Sequence, residues 1–187
     1  MRGKEKDYFM ALYNVARVIN ASLQPSEVLE EIVRSVVKAM NVKGCSIRLL
    51  DSRKEKLFMG AICGLSEDYI RKGPVLIKES GIDQKVLKGE TIWLKDAQKD
   101  KDFQYKAKAK DEGIKSVFVV PLKVGKRVIG VLRVYTSRVR EFSDQETQFM
   151  EAVANLSAIA LDNARLHQAL QTNYDLLLAH KYRIDDN

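Results

Sequence analysis

Two arginines stand inside apolar segments of this 187-residue chain, where a charged side chain is unexpected. Arg48 lies within "GCSIRLL" and Arg133 lies within "VIGVLRVY". A buried guanidinium without a partner is costly, so each arginine must meet a carboxylate, water or an anionic ligand. Because arginine binds carboxylates and phosphates through paired hydrogen bonds, these positions suggest an anion-binding site.

A second interpretation gives the arginines ordinary structural partners. In it, both side chains reach solvent at strand ends or pair with Glu67, Asp68 or Glu79. The alternation of side chains along a strand puts Ser46 on the same face as Arg48. Polar groups on that face favour the ligand interpretation, and the structural interpretation remains open.

The two cysteines, Cys45 and Cys63, are too few for a disulfide scaffold and lack metal-ligand spacing. If Arg53 and Lys54 form the turn between their strands, Cys45 pairs with Ile62 and the thiols point to opposite faces; a slip of one residue would put them opposite each other. No base or helix N-terminus that would lower a thiol pKa stands nearby. The pattern favours buried structural thiols over catalytic ones.

Composition places the chain among soluble globular proteins, with 45% hydrophobic and 30% charged residues. No apolar run approaches the ~18 residues that a membrane span needs, and no secretory signal follows Met1, so we expect a cytoplasmic protein without membrane contact. The net charge of +7 raises nucleic acid as a partner. Lys106, Lys108 and Lys110 are spaced by two, however, which scatters them around a helix, so no nucleic-acid partner is expected.

Predicted helices and strands together give an α+β chain. Residues 6–20 carry apolar side chains at helical spacing, and Pro25 suits the first position of a second helix. Residues 42–51 and 56–65 are predicted to form a hairpin. The remaining predicted elements are a short helix after Ser66, a helix from Ser80 to Gly89, a strand at 91–94, a charged helix or loop through Asp111, and a hairpin ending at Thr136 or Ser137.

The last hairpin predicts how the sheet is covered. With Gly125 and Lys126 as its turn, Phe118 lies opposite Arg133 and shares its face. Both faces are mostly apolar, so the last strand should be central and covered on both sides. Gly130 falls on the other face and predicts a close helix backbone there, which leaves Arg133 facing the irregular middle segments.

A long helix with a heptad repeat is predicted after a capping box, "SDQE", at Ser143 to Glu146. Its seam predicts a parallel coiled coil and hence a homodimer through the terminal helices. The alternative, in which the helix packs only on its own sheet, suits the sequence up to about Ala164. The predicted seam residues are Phe149, Leu156, Ile159, Asn163, Leu166, Leu170 and Leu177.

Five segments, taken together, resemble a bacterial GAF domain over residues 26–166. They are "CSIRLLD", "GLSEDYIRKGPV", "DEGIKSVFVVPLKVGKRVIGVLRVY", "REFSDQE" and "AIALDNARL". The resemblance implies an antiparallel sheet of five or six strands, with terminal helices on one face and short helices and loops covering a ligand cavity on the other. Together with the predicted helices, it divides the chain into three parts: an N-terminal amphipathic helix (1–24), the GAF domain (25–164) and a signalling-helix extension (165–187).

The resemblance implies a sensory module of a signal transduction protein that binds a small molecule and catalyses nothing. The two arginines suggest that this small molecule is an anion. The constellation that binds cyclic nucleotides in this family cannot be traced, and Cys63 precedes Gly64 where bilin-binding members have histidine, so the cofactor is unknown. Two alternatives remain: a thiol enzyme resembling free methionine sulfoxide reductases, and a purely structural dimerisation module. The expected ligand-binding residues are Ser46, Arg48, Cys63, Tyr69, Trp93, Phe118, Arg133 and Tyr135.

Overall fold

A computed structural model describes the backbone of residues 2–21 and 24–185, and the side chains of residues 7–21 and 24–178. Residues 1, 22 and 23 of the predicted segment 1–24, and residues 186 and 187 of the predicted segment 165–187, lie outside the described backbone. The helices are α1 (Arg2–Ala21), α2 (Pro25–Met40), α3 (Glu67–Ile70), α4 (Gly81–Val86), α5 (Lys106–Asp111) and α6 (Asp144–Asp185). The strands are β1 (Gly44–Leu50), β2 (Lys56–Cys63), β3 (Val75–Leu76), β4 (Ile92–Leu94), β5 (Ser116–Val124) and β6 (Arg127–Thr136).

The six strands form one antiparallel sheet in the order β3-β2-β1-β6-β5-β4. The α+β prediction with a five- or six-stranded sheet is therefore confirmed. The first and last long strands are neighbours, because Ser46 of β1 pairs with Arg133 of β6. This pairing brings two polar residues that are 87 positions apart in the sequence to the centre of the sheet.

One face of the sheet packs against α1, α2 and α6, and we call it the helical side. Helix α2 begins with Pro25 in its first turn. Asn41 caps its C-terminal end in a left-handed backbone conformation, with φ 49°. Its buried side chains, such as Ile32 and Val36, recur at helical spacing and pack with Ile47 and Leu132 of the sheet. None of the described helices has an apolar stretch long enough to cross a bilayer.

The other face of the sheet is covered by the segment between β2 and β5, residues 64–115, which we call the lid. We call this face of the sheet the lid side. Short elements dominate the lid, including a 3-10 helix at Ile77–Glu79. Side chains such as Ile82, Phe103 and Ile114 form a second buried cluster with Val131 and other residues of the sheet. The predicted division of the sheet into a helical side and a lid side is confirmed.

Each long hairpin contains a β-bulge that the sequence interpretation missed. In β5 and β6 the Gly125-Lys126 turn is as predicted, but the register shifts between Leu122 and Lys123 and leaves Ile129 unpaired. Phe118 therefore pairs with Val134 and not with Arg133. The prediction that Phe118 shares the face of Arg133 is wrong, because one extra residue moves a strand's side chains to the opposite face.

The bulge between β1 and β2 corrects the expectation for the cysteines. The register shifts between Ile47 and Arg48, so that Cys45 pairs with Cys63. Both thiols therefore lie on the helical side, where Cys45 is buried and Cys63 is half-buried. The prediction that they point to opposite faces is wrong, and Gly60, the residue passed over in the register, supplies the extra position.

Helix α6 is one continuous helix of 42 residues. The capping box at its start is confirmed, because Ser143 N donates to Glu146 Oε2 at 2.9 Å and Glu146 N donates to Ser143 Oγ at 3.3 Å. Phe149 is buried in the domain's own core and stacks on Tyr8, so it is not available to a seam. Leu156 is partly buried against the same core, whereas Ile159 is exposed.

Candidate functional site

Five lid-side residues form a buried group with an excess of positive charge, which we call the cationic cluster. Its members are Arg48 on β1, Tyr69 on α3, Lys72 in the turn after α3, Asp83 on α4 and Arg133 on β6. Arg48 and Arg133 are 1% and 2% exposed. Neither arginine reaches solvent, which excludes that part of the structural interpretation.

Arg133 has an ionic partner, and the partner is Asp83. The Arg133 Nη2 atom donates to Asp83 Oδ1, and Ser80 Oγ donates to Asp83 Oδ2 at 2.5 Å. Burial opposes the charge on Arg133, but the carboxylate of Asp83 outweighs it and raises the pKa of Arg133 above its usual value. The structural interpretation expected Glu67, Asp68 or Glu79 as the partner, and for Arg133 that expectation is wrong.

Arg48 is different, because no carboxylate pairs with it in the described structure. Among the described residues, its side chain donates one hydrogen bond, from Nη1 to the carbonyl oxygen of Leu57 at 3.4 Å. Its Nε and Nη2 atoms are buried and have no partner in the described part of the chain. A fully buried guanidinium with free donors is expected where a ligand or bound water completes the site.

Lys72 adds a third basic group that the sequence interpretation did not identify. Its stem is partly exposed, but its Nζ atom is buried without a hydrogen-bond partner, 3.2 Å from the centre of the Tyr69 ring and 4.8 Å from that of Tyr105. Desolvation, followed by the charges of Arg48 and Arg133, lowers the pKa of Lys72 to about 5. No periodicity in "SEDYIRKG" indicates that this lysine turns inward.

Two tyrosines form the floor of the cluster. The hydroxyls of Ser46 and Tyr135 share a hydrogen bond of 2.9 Å, and the Tyr135 ring meets the Tyr69 ring edge-on at 5.9 Å between centres. The Tyr69 hydroxyl is buried without a partner. Burial, then the neighbouring Tyr135, raises the pKa of Tyr69 well above its usual value. The hydroxyl therefore stays protonated and can donate a hydrogen bond to a ligand.

Five of the eight expected ligand-binding residues meet on the lid side, and three do not. Phe118 stacks on Phe142 and lies in the helical-side core. Trp93 pairs with Phe118 across β4 and β5, so it points to the same side, where it is 37% exposed at the sheet edge. Cys63 also packs on the helical side. The residues that meet are Ser46, Arg48, Tyr69, Arg133 and Tyr135.

The environment of the two cysteines does not favour thiol reactivity. Burial, then the proximity of Cys63, raises the pKa of Cys45 well above its usual value, which suppresses the reactive thiolate. The sheet separates both cysteines from the cationic cluster. Among the described residues, no group of three or more His, Cys, Asp or Glu side chains could hold a metal ion.

A cleft of about 140 Å³ opens on the surface just outside the cluster, between α3 and the end of α5. Tyr69 and Glu112 are among the residues that line it. Glu112 accepts hydrogen bonds from the Ser66 amide at 3.3 Å and from the Ser66 hydroxyl, and it pairs with Lys43 Nζ at 3.2 Å. The contact between Ser66 and Glu112 joins two segments of the lid beside this cleft.

A profile described as GAF domain matches residues 22–162, more than half of the chain. The chain is 24% identical over 172 residues to the "Formate hydrogenlyase transcriptional activator" of Salmonella typhimurium, covering 89% of this chain and 25% of that protein. The chain thus spans about a quarter of the length of this curated relative.

Solved structures share the fold. The GAF domain from an Acinetobacter phosphoenolpyruvate-protein phosphotransferase superposes with a TM-score of 0.72 at 25% identity, covering 84% of this chain and 94% of that one. Free methionine-R-sulfoxide reductase from Neisseria meningitidis gives a TM-score of 0.71 at 18% identity, covering 86% and 91%. At that identity the second likeness concerns the fold alone.

Proposed function

Since this chain belongs to the GAF domain family, we propose that it is a non-catalytic, cytoplasmic sensory domain that binds a small anion in the cationic cluster. Relatives of the chain occur as parts of signalling proteins, among them a transcriptional activator. The ligand class in this proposal comes from the charges and donors of the cluster itself.

A single observation supports anion binding most strongly. Among the described residues, every buried side-chain nitrogen or oxygen without a hydrogen-bond partner belongs to the cationic cluster. These atoms are Arg48 Nε and Nη2, Arg133 Nε, Tyr69 Oη and Lys72 Nζ. Buried polar groups in folded proteins are almost always hydrogen-bonded, so five unmet groups in one place favour a missing acceptor. A carboxylate or another oxyanion offers several acceptor positions without adding a donor.

The same observation argues against a purely structural module. A lid packed only for stability would place apolar side chains around Val131 and Leu57, because apolar residues of similar volume avoid the cost of burying unpaired charge. The described lid instead buries Arg48 with free donors and Lys72 beside it. Retaining these costly groups favours a binding role.

The thiol-enzyme alternative has less support. Catalysis by a cysteine needs an accessible thiolate of lowered pKa near the substrate. Cys45 is buried, its pKa is raised, and both cysteines lie across the sheet from the cluster. A reductase would therefore have to bind its substrate on the helical side, where α2 and α6 cover the sheet.

Helix α6 is the proposed output element. Its first half packs on the sheet and Leu161 is still partly buried, but Ile159, Leu166 and Leu170 are 52%, 56% and 70% exposed. These positions, with Leu177, continue the predicted heptad seam. We propose that a second copy covers them in a parallel pair, and that ligand binding on the lid side is transmitted through the sheet to this helix.

A thermal-shift experiment tests anion binding. Sodium formate, acetate and sulfate are compared with sodium chloride at equal ionic strength, and at least one should raise the melting temperature of the natural chain. Arg48→Met should abolish the shift. Arg34→Met removes an exposed arginine that pairs with Glu30, so it is the matched control and should keep the shift. Equal shifts in the natural chain and in Arg48→Met would contradict the proposal.

A further inference from the structure

We infer that the cationic cluster binds its anion together with one proton, which Lys72 takes up. This inference rests on the proposed function, since it concerns the same site. It follows from the balance of charges in the cluster, from the atoms that surround the lysine, and from the chemistry that distinguishes lysine from arginine.

The cluster holds more basic groups than acidic ones. Arg48, Lys72 and Arg133 share the cluster with one buried carboxylate, that of Asp83, which pairs with Arg133 alone. Both oxygens of Asp83 are already engaged, by Arg133 and by Ser80. If all three basic groups were charged, the buried cluster would carry two uncompensated positive charges, which a low-dielectric interior strongly disfavours.

The other groups around Lys72 do not supply the missing negative charge. Tyr69 on α3 and Tyr105 before α5 present neutral rings to its Nζ atom. Glu112, after α5, acts on Lys72 from a distance but is paired with Lys43 and bonded to Ser66. On the sheet, Tyr135 of β6 shares its hydroxyl with Ser46.

Lysine is the member of the cluster that can give up its charge. Arginine stays protonated in proteins, whereas a buried lysine readily loses its proton. Contact of an ammonium with two aromatic rings offsets only part of the desolvation cost. Burial and the two guanidinium groups lower the pKa of Lys72 to about 5, in agreement with the charge balance. The free protein at neutral pH therefore keeps Lys72 neutral.

A bound anion reverses this balance. It adds the negative charge that the cluster lacks, which favours the ammonium form of Lys72 and raises its pKa in the complex. The complex then holds one more proton than the free protein. By linkage, affinity increases as pH falls, by about tenfold per pH unit between the pKa of Lys72 in the free protein and its pKa in the complex. In effect the site captures the conjugate acid of its ligand.

The protonation state of Lys72 in the free chain is measured first. The protein is labelled with ¹³C-lysine, and the Cε signal of Lys72, assigned with Lys72→Arg, is followed from pH 4.5 to pH 10. We expect a midpoint near pH 5, with the neutral form at pH 7. A midpoint above pH 9 would overturn the inference and leave the proposed function standing.

Calorimetry then measures the proton. Sodium formate, acetate and sulfate are titrated at pH 7 in buffers of different ionisation enthalpy, and the dependence of the heat on the buffer should correspond to uptake of about one proton per anion. Lys72→Met should bind with heat independent of the buffer. Lys78→Met, which removes an exposed lysine of the lid, should behave as the natural chain does.

The outcomes separate the two proposals. Binding without proton uptake in the natural chain would overturn the inference while supporting anion binding. No binding of any of the three anions at pH 7 or at pH 5.5, where the affinity should be higher, would overturn the proposed function and this inference with it.

Discussion

Asp83 of the lid and Arg133 of the sheet form an ion pair in which the carboxylate is 0% and the guanidinium 2% exposed. The pair joins α4 to β6 across the interface between the lid and the sheet. Because Ser80 also donates to Asp83, the pair fixes the start of α4 above the centre of the sheet. The lid is thus held to the sheet through the same cluster that we propose as its binding site.

Replacing Asp83 by asparagine should destabilise the fold strongly. The variant leaves a buried guanidinium without a counter-charge, and breaking a buried pair in this way costs roughly 3–5 kcal/mol. The free energy of unfolding measured in urea should fall by this amount. The double variant Asp83→Leu, Arg133→Met should recover most of the loss, and a loss of less than about 1 kcal/mol in Asp83→Asn would contradict the buried pair.

The hydroxyls of Ser46 and Tyr135 should be energetically coupled. Each single variant, Ser46→Ala or Tyr135→Phe, leaves one buried hydroxyl unsatisfied and should cost roughly 1–3 kcal/mol. The double variant removes both partners, so its cost should be smaller than the sum of the two. Additive costs in urea unfolding would show that the two hydroxyls do not share a hydrogen bond.

Lys72→Met should stabilise the protein, and the gain should depend on pH. The pKa of Lys72 is about 5 in the folded chain, below the ordinary lysine value of about 10.4 in the unfolded chain. Between these values the unfolded chain binds more protons, so the stability of the natural chain rises with pH across this window. The advantage of Lys72→Met should be largest near pH 5, at least about 1 kcal/mol at pH 7, and should vanish near pH 10.

Melting curves from pH 5 to pH 10 check this prediction. Lys78→Met serves as the control, because Lys78 is exposed and its removal should leave the pH dependence unchanged. A stability difference between Lys72→Met and the natural chain that stays constant over the whole range would count against a neutral Lys72.

Gly130→Ala should disturb the sheet beside the cluster. A Cβ atom at Gly130 would overlap with the carbonyl oxygen of Arg48 on the neighbouring strand, and it would lie 3.2 Å from Leu122 Cδ1. We expect a loss of roughly 1–3 kcal/mol, since the overlap can be relieved only by moving the backbone of β1. Gly125→Asn is the control: this turn has φ 58° and no atom within 4 Å of an added Cβ, and asparagine tolerates left-handed backbone. Equal losses in both variants would contradict the close approach.

Exposed leucines of α6 should determine the subunit count. The double variant Leu170→Lys, Leu177→Lys places charges on the proposed seam and should convert a dimer to a monomer in sedimentation experiments, while the helical circular dichroism of the domain is retained. Gln168→Lys, at an exposed polar position, is the control and should leave the mass unchanged. A natural chain that sediments as a monomer would exclude the proposed pairing.

Strand alternation was sufficient to locate the central polar residues from the sequence. Ser46, Arg48 and Arg133 are polar exceptions in apolar strands, and the period of two places them on one face once the neighbours are known. The turn residues of both hairpins were also predictable. The errors for Phe118 and for the two cysteines each arose from one bulge, because a bulge adds a residue without changing the turn that precedes it.

The lid residues of the cluster could not be predicted in the same way. Asp83 lies in the first turn of a six-residue helix, where an acidic residue is ordinary, and Lys72 follows a four-residue helix. Elements this short have no periodicity from which an inward face can be inferred. Only the packing of the lid on the sheet shows that these two charges meet the arginines.

The second half of α6 can act as a lever, because the side chains of residues 165–178 are all exposed. The backbone of residues 165–185 extends for about 31 Å at 1.5 Å per residue. A tilt of about 5° at the edge of the sheet would displace the far end by about 3 Å, roughly half of one helical turn. A rearrangement too small to change the core could therefore move the far end of α6 by several ångströms. A domain or partner that contacts this end would be displaced by the same distance.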